Sequence, residues 1–126
     1  MSAHRANRDG VLVVGSVNVD LSVRIPAFPE RGETVLGDEL RIIGGGKGAN
    51  QAVAAARLGS PAWLCGKIGG DSAGRMMREL LAQSGVRLEH LRDDPDAATG
   101  MAMIWIEDRG ENRIVVAPGA NGHVAS

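Results

Sequence analysis

The chain has 126 residues, enough for one modest domain with its own core and too few for two. Its 14 basic and 15 acidic side chains leave a net charge of −1, which argues against a nucleic-acid binder driven by electrostatics. A single cysteine, Cys65, excludes an internal disulfide framework and a cysteine-rich zinc site and suits the reducing cytoplasm, and no apolar run approaches the ~20 residues of a membrane span.

Met1–Gly10 is polar, lacks the apolar stretch of a signal peptide, and predicts a flexible lead-in over residues 1–10. Val11–Val14 is an apolar run closed by Gly15-Ser16, which predicts a buried strand. From Val17 to Ile25 apolar residues alternate with Asn18, Asp20, Ser22 and Arg24, the pattern of a half-exposed strand. Pro26–Gly32 reads as a loop; Thr34–Leu36 and Glu39–Ile43 read as strand pieces split at Gly37-Asp38. A glycine cluster, Gly44-Gly45-Gly46-Lys47-Gly48, precedes Ala49, Ala52, Val53 and Ala56, whose spacing predicts a helix stopped by Gly59 and Pro61. Ala62–Ile68 predicts a second buried strand. Asp71 is placed to cap a helix over 72–84 with Met76, Met77, Leu80 and Leu81 inward, and Val86–Asp96 reads as a short extended piece with a polar loop.

Met101–Ile106 and Arg113–Ala117 flank a charged turn and predict a hairpin. The Met101–Ile106 run does not alternate, so both of its faces are expected to be covered, by this chain, a ligand or a second subunit. The order implies a parallel βαβ layer from Val11, the first helix and Ala62, beside a small antiparallel sheet.

Two features carry chemistry. Glycines between a strand and a helix let a ligand approach the backbone, and a helix N-terminus offers N–H groups and a positive dipole. A phosphate-binding loop is excluded here by Arg41 and Gly48, which stand where such a loop needs Gly and Ser or Thr. Gly44, Gly46 and Ala49 meet only a relaxed dinucleotide pattern, and a plain strand-to-helix turn remains an alternative. Asn18 and Asp20, two apart on one strand, put an amide and a carboxylate on one face, a pairing suited to two adjacent hydroxyls, with two solvated strand residues as the alternative. His4, His90 and His123 share no metal-binding spacing.

The stretches Val13–Asp20, Gly32-Glu33-Thr34 and Gly45–Gly59 together resemble the ribokinase branch of the ribokinase-like (PfkB) carbohydrate kinases. Gly66–Gly74, Thr99-Gly100, Gly110-Glu111-Asn112 and Gly119-Ala120-Asn121 extend the resemblance over nearly the whole chain. It implies the N-terminal part of a ribokinase-like α/β/α fold with a small antiparallel β lid: a kinase domain over 11–126, with core near 11–16 and 44–98 and lid strands near 17–43 and 99–118. It implies a sugar site at Asn18, Asp20, Gly45, Gly46, Lys47, Gly48 and Asn50. It also implies MgATP, a monovalent cation and a homodimer formed through the lid. The implied reaction is ATP-dependent phosphorylation of D-ribose, or a similar sugar, at its primary hydroxyl; a different sugar or a nucleoside is the alternative acceptor. In the family the general base lies in a Gly-Ala-Gly-Asp motif, which does not occur in this sequence. Gly119-Ala120-Asn121-Gly122 has Asn in the place of the base. The chain by itself is therefore expected to be catalytically silent, with no catalytic base and no nucleotide or metal site of its own. A sugar-binding or dimerising remnant is the competing expectation.

Overall fold

The computed structural model describes residues 9–124; the lead-in expected over 1–10 lies almost wholly outside them. The strands are β1 (Val11–Val14), β2 (Asn18–Ile25), β3 (Arg41–Gly45), β4 (Ala62–Gly69), β5 (Leu91–Asp94), β6 (Gly100–Glu107) and β7 (Asn112–Ala117). Helix α1 (Lys47–Arg57) follows β3, α2 (Ser72–Gln83) follows β4, and a 3-10 turn spans Gly119–His123. One sheet is parallel, in the order β1-β4-β5; the other runs β3-β2-β6-β7.

Each helix is delimited by local chemistry. The backbone of α1 turns in at Gly46 (φ +94°) and out at Gly59 (φ +89°), a left-handed conformation that costs glycine little. Asp71 caps α2 as expected, its carboxylate accepting from the Gly74 N–H at 2.9 Å. Val17, Val19, Ala49, Ala52, Leu64, Ile68, Met77, Leu81 and Leu91 form the core where the first half of β2 and both helices close on the parallel sheet. Each large aliphatic or methionine side chain removed from water there contributes about 1.5–3 kcal/mol.

Several expectations need correction. Of Val11–Val14 only Val13 is buried; Leu12 and Val14 are exposed on a strand that pairs on one side alone. Thr34–Leu36 is not a strand, and β3 begins at Arg41 rather than Glu39. The 34–40 segment is instead tied by the Asp38 N–H donating to the Arg24 carbonyl, and Leu36 points into solvent. β5 falls within the piece read as a short extended stretch with a polar loop. It pairs parallel to β4, Gly66 opposite Leu91 through Gly69 opposite Asp94. In the second sheet the β2–β3 and β6–β7 pairings are antiparallel, and the central β2–β6 pairing is parallel. Met101–Ile106 is not covered on both faces within this chain. Met103 and Trp105 are exposed on one face, and β7 is exposed along its length. Cys65, in the strand predicted to be buried over Ala62–Ile68, is only half-buried.

Candidate functional site

The register of the second sheet builds the site. Directly paired residues share a face, so each row across the sheet can be read from the pairing. One row is Gly45, Asn18, Gly100. Two residues along β2, on the same face, the next is Ile43, Asp20, Ala102, Val116. Asn18 thus has a glycine on either side, and Asp20 lies among aliphatic neighbours.

The glycines are hollows with a purpose that can be stated atom by atom. A Cβ on Gly45 would stand 2.5 Å from Asp20 Oδ2, and one on Gly100 would stand 2.5 Å from Asn18 Oδ1. Their absence leaves the amide and the carboxylate room beside the backbone. A Cβ on Gly46 would meet the Ser16 carbonyl at 2.6 Å, and one on Gly48 would meet Gly15 C at 2.6 Å. These glycines let α1 start directly against the β1–β2 link, where the Ala49 N–H donates to the Ser16 carbonyl at 3.0 Å.

The structure therefore gathers Asn18, Asp20, Gly45, Gly46 and Gly48 around the mouth of α1. Lys47 and Asn50, one helical turn apart and both exposed, stand on its first turn. Neither makes a hydrogen bond to Asn18 or Asp20, and Asn50 also borders the groove between α1 and α2. Burial pushes the Asp20 carboxyl above its usual value.

Two further groups brace this region. Asn121, on the 3-10 turn, accepts from the Val17 N–H at 2.9 Å and donates to the Val17 carbonyl at 3.0 Å and to Asn18 Oδ1 at 2.6 Å. Asp71 accepts from Thr99 Oγ1 at 2.6 Å and from the Thr99 N–H at 3.0 Å, and Thr99 Oγ1 in turn accepts from the Gly69 N–H at 2.9 Å. That fixes the entry of β6 immediately before Gly100. The Gly119-Ala120-Asn121 run was visible in the sequence, but its contact with Asn18 spans 103 positions and has no local signal. Among the described residues no three His, Cys, Asp or Glu side chains converge into a metal-binding group.

The family profile of the pfkB carbohydrate kinases matches residues 8–126. The chain belongs to that family. Haemophilus influenzae ribokinase is 44% identical over 118 residues, 94% of this chain and 39% of that protein. Mus musculus ribokinase is 46% identical over 111 residues, 88% of this chain and 34% of that one. Arabidopsis thaliana ribokinase, solved with ribose and ATP, superposes with a TM-score of 0.84 at 37% identity, covering 89% of this chain and 36% of its own. The mixed parallel and antiparallel sheets are those of the pfkB fold as these ribokinases show it. The chain spans less than two fifths of the length of the pfkB proteins named here.

Proposed function

We propose that this chain carries the sugar-binding face and lid of a ribokinase-type kinase, which transfers the γ-phosphoryl of ATP to the primary hydroxyl of D-ribose or a closely similar sugar. The observation that carries the proposal is the side-by-side placement of Asn18 and Asp20, flanked by Gly45 and Gly100, at the start of α1. An ionised carboxylate only accepts hydrogen bonds and an amide NH2 only donates them, so together they hold two neighbouring hydroxyls in one orientation. Gly46 and Gly48 let α1 start against the β1–β2 link, which brings Lys47 and Asn50 of its first turn within reach of the ring. The exposed apolar faces of β6 and β7 are the surface through which two such lids pair. MgATP and a monovalent cation bind outside this stretch, where the base and the phosphoryl-binding backbone would also lie.

Calorimetric titration with D-ribose tests the proposal. Binding is expected, and Asp20→Ala is expected to weaken it by about tenfold or more, the usual cost of losing a hydrogen bond to a charged group. No ribose binding by a folded chain would overturn it. The absence of a Gly-Ala-Gly-Asp sequence favours a second reading, a sugar-binding remnant without turnover. Phosphorylation of ribose by the purified chain with MgATP would eliminate that reading; ribose binding unaffected by nucleotide would support it.

A further inference from the structure

We propose that Asn121 is a positioning residue for the sugar site: its carboxamide dictates which end of the Asn18 amide faces the ligand. The inference rests on Asn18 and Asp20 being sugar ligands. It follows from covalent structure rather than from the choice of amide rotamer. The Val17 N–H can only donate and the Val17 carbonyl can only accept. Asn121 meets both, so Oδ1 must face the N–H and Nδ2 the carbonyl, as the distances of 2.9 and 3.0 Å show. The second Nδ2 proton is then directed at Asn18, 2.6 Å away, and Asn18 must answer it with Oδ1. What Asn18 has left to offer a ligand is its NH2. Beside it, Asp20 offers oxygens. The donor-next-to-acceptor polarity of the site is thus set by a residue 103 positions away in the chain.

Asn121 is itself held rigidly. Its N–H donates to the Pro118 carbonyl at 3.0 Å, and the preceding Ala120 is fully buried with its N–H on the Ala98 carbonyl at 2.7 Å. Gly100 is part of the same arrangement, because a Cβ there would collide with both Asn121 Nδ2 and Asn18 Oδ1. Glycine at position 100 is what allows the two amides to meet.

Two measurements on the full chain test this. The first needs no ligand: side-chain amide hydrogen exchange by NMR. Both Asn121 protons are bonded and are expected to exchange slowly, whereas the Asn18 NH2 is expected to exchange fast. A fast Asn121 pair, or a protected Asn18 pair, would overturn the proposal. The second compares ribose with its 2-deoxy-2-fluoro and 3-deoxy-3-fluoro analogues, since fluorine can accept a hydrogen bond but not give one. In the wild type the analogue whose fluorine faces Asn18 is expected to bind within about fivefold of ribose, and the one whose fluorine faces Asp20 to lose about tenfold or more. Asn121→Asp removes the donor from both the Val17 carbonyl and Asn18; with its carboxylate turned off that carbonyl and accepting from the Val17 N–H, it can only accept from Asn18 as well, so Asn18 is expected to turn its NH2 inward and its carbonyl to the sugar. Both analogues are then expected to bind poorly relative to ribose. An unchanged ratio in that variant would overturn the proposal, because general destabilisation lowers all three affinities without moving their ratio. If ribose itself fails to bind, the sugar reading falls while the exchange measurement still decides the amide orientation.

Discussion

At the scale of single residues, two aspartates sit in opposite electrostatic situations. Burial alone would push the Asp71 carboxyl up, but the hydrogen bonds from Thr99 Oγ1, the Thr99 N–H and the Gly74 N–H outweigh it and hold it below the usual carboxylate range. A carboxyl depressed in the folded state adds stability that is complete above its unfolded pKa, near 3.9 for Asp, and is lost as the pH falls through the folded value. Asp71→Asn places an NH2 where an acceptor is required and is expected to cost roughly 1–3 kcal/mol at pH 7, with the difference from wild type shrinking in acid; urea unfolding at several pH values measures both. Asp20 runs the other way. Its carboxyl is raised by burial, so its ionised form weighs against the folded state, and any stability it contributes is lost as the pH rises through the folded pKa. Asp20→Asn is expected to leave the neutral-pH melting temperature unchanged or higher while lowering ribose affinity. A variant both less stable and equally tight would contradict this. A site residue that works against stability is the ordinary signature of a group kept for binding.

At the scale of elements, the loop into α1 separates backbone need from side-chain need. Gly46→Ala puts a side chain on a φ of +94° with its Cβ 2.6 Å from the Ser16 carbonyl, and is expected to destabilise by about 1–3 kcal/mol. The atom that Gly45→Ala would meet is the end of the Asp20 side chain, which can rotate away. That variant is expected to keep most of its thermal stability and to lose ribose affinity, and paired melting and titration experiments distinguish the two glycines. Elements with local signals were legible in the sequence: the alternation of β2, the Ala spacing and Gly59 stop of α1, the Asp71 cap, the β6–β7 turn. What could not be read there depends on partners distant in the chain. β5 is Leu-Arg-Asp-Asp, without apolar alternation, and is a strand because β4 offers it an edge. The Thr34–Leu36 piece has strand composition and no strand to pair with. The candidate site was legible to the same extent: Asn18 and Asp20 declare themselves by spacing, whereas Gly100 and Asn121 join them only through the register of β6 and the position of the 3-10 turn.

At the scale of the whole molecule, much apolar surface stays in contact with water. Ile42, Met103 and Val115 are exposed in one row across the second sheet, with Trp105 beside them; Ile114 and Val116 are exposed on the opposite face. Leu12 and Val14 add a second open area at β1. Patches of this kind mark association surfaces or aggregation sites. Sedimentation is expected to show self-association that grows with concentration. Met103→Lys combined with Val115→Glu, which places opposite charges on directly paired positions, is expected to shift the distribution toward monomer with little change in melting temperature. Association undiminished in that variant would move the contact to another surface, with β1 the next to test.

β2 belongs to both halves of the molecule. Val17, just before it, and Val19 are locked in the core, while Ile25, at its far end, is buried in the second sheet. Asn18 and Asp20 sit at the fixed end of this eight-residue strand. The strand is therefore a lever with the candidate site at its fulcrum. A rotation of about 10° near Asp20 would sweep the Ile25 end through roughly 3 Å, taking ~3.3 Å per residue, while moving Asn18 far less. A closing movement of the far end of β2 would travel a long way while leaving the groups of the candidate site nearly still.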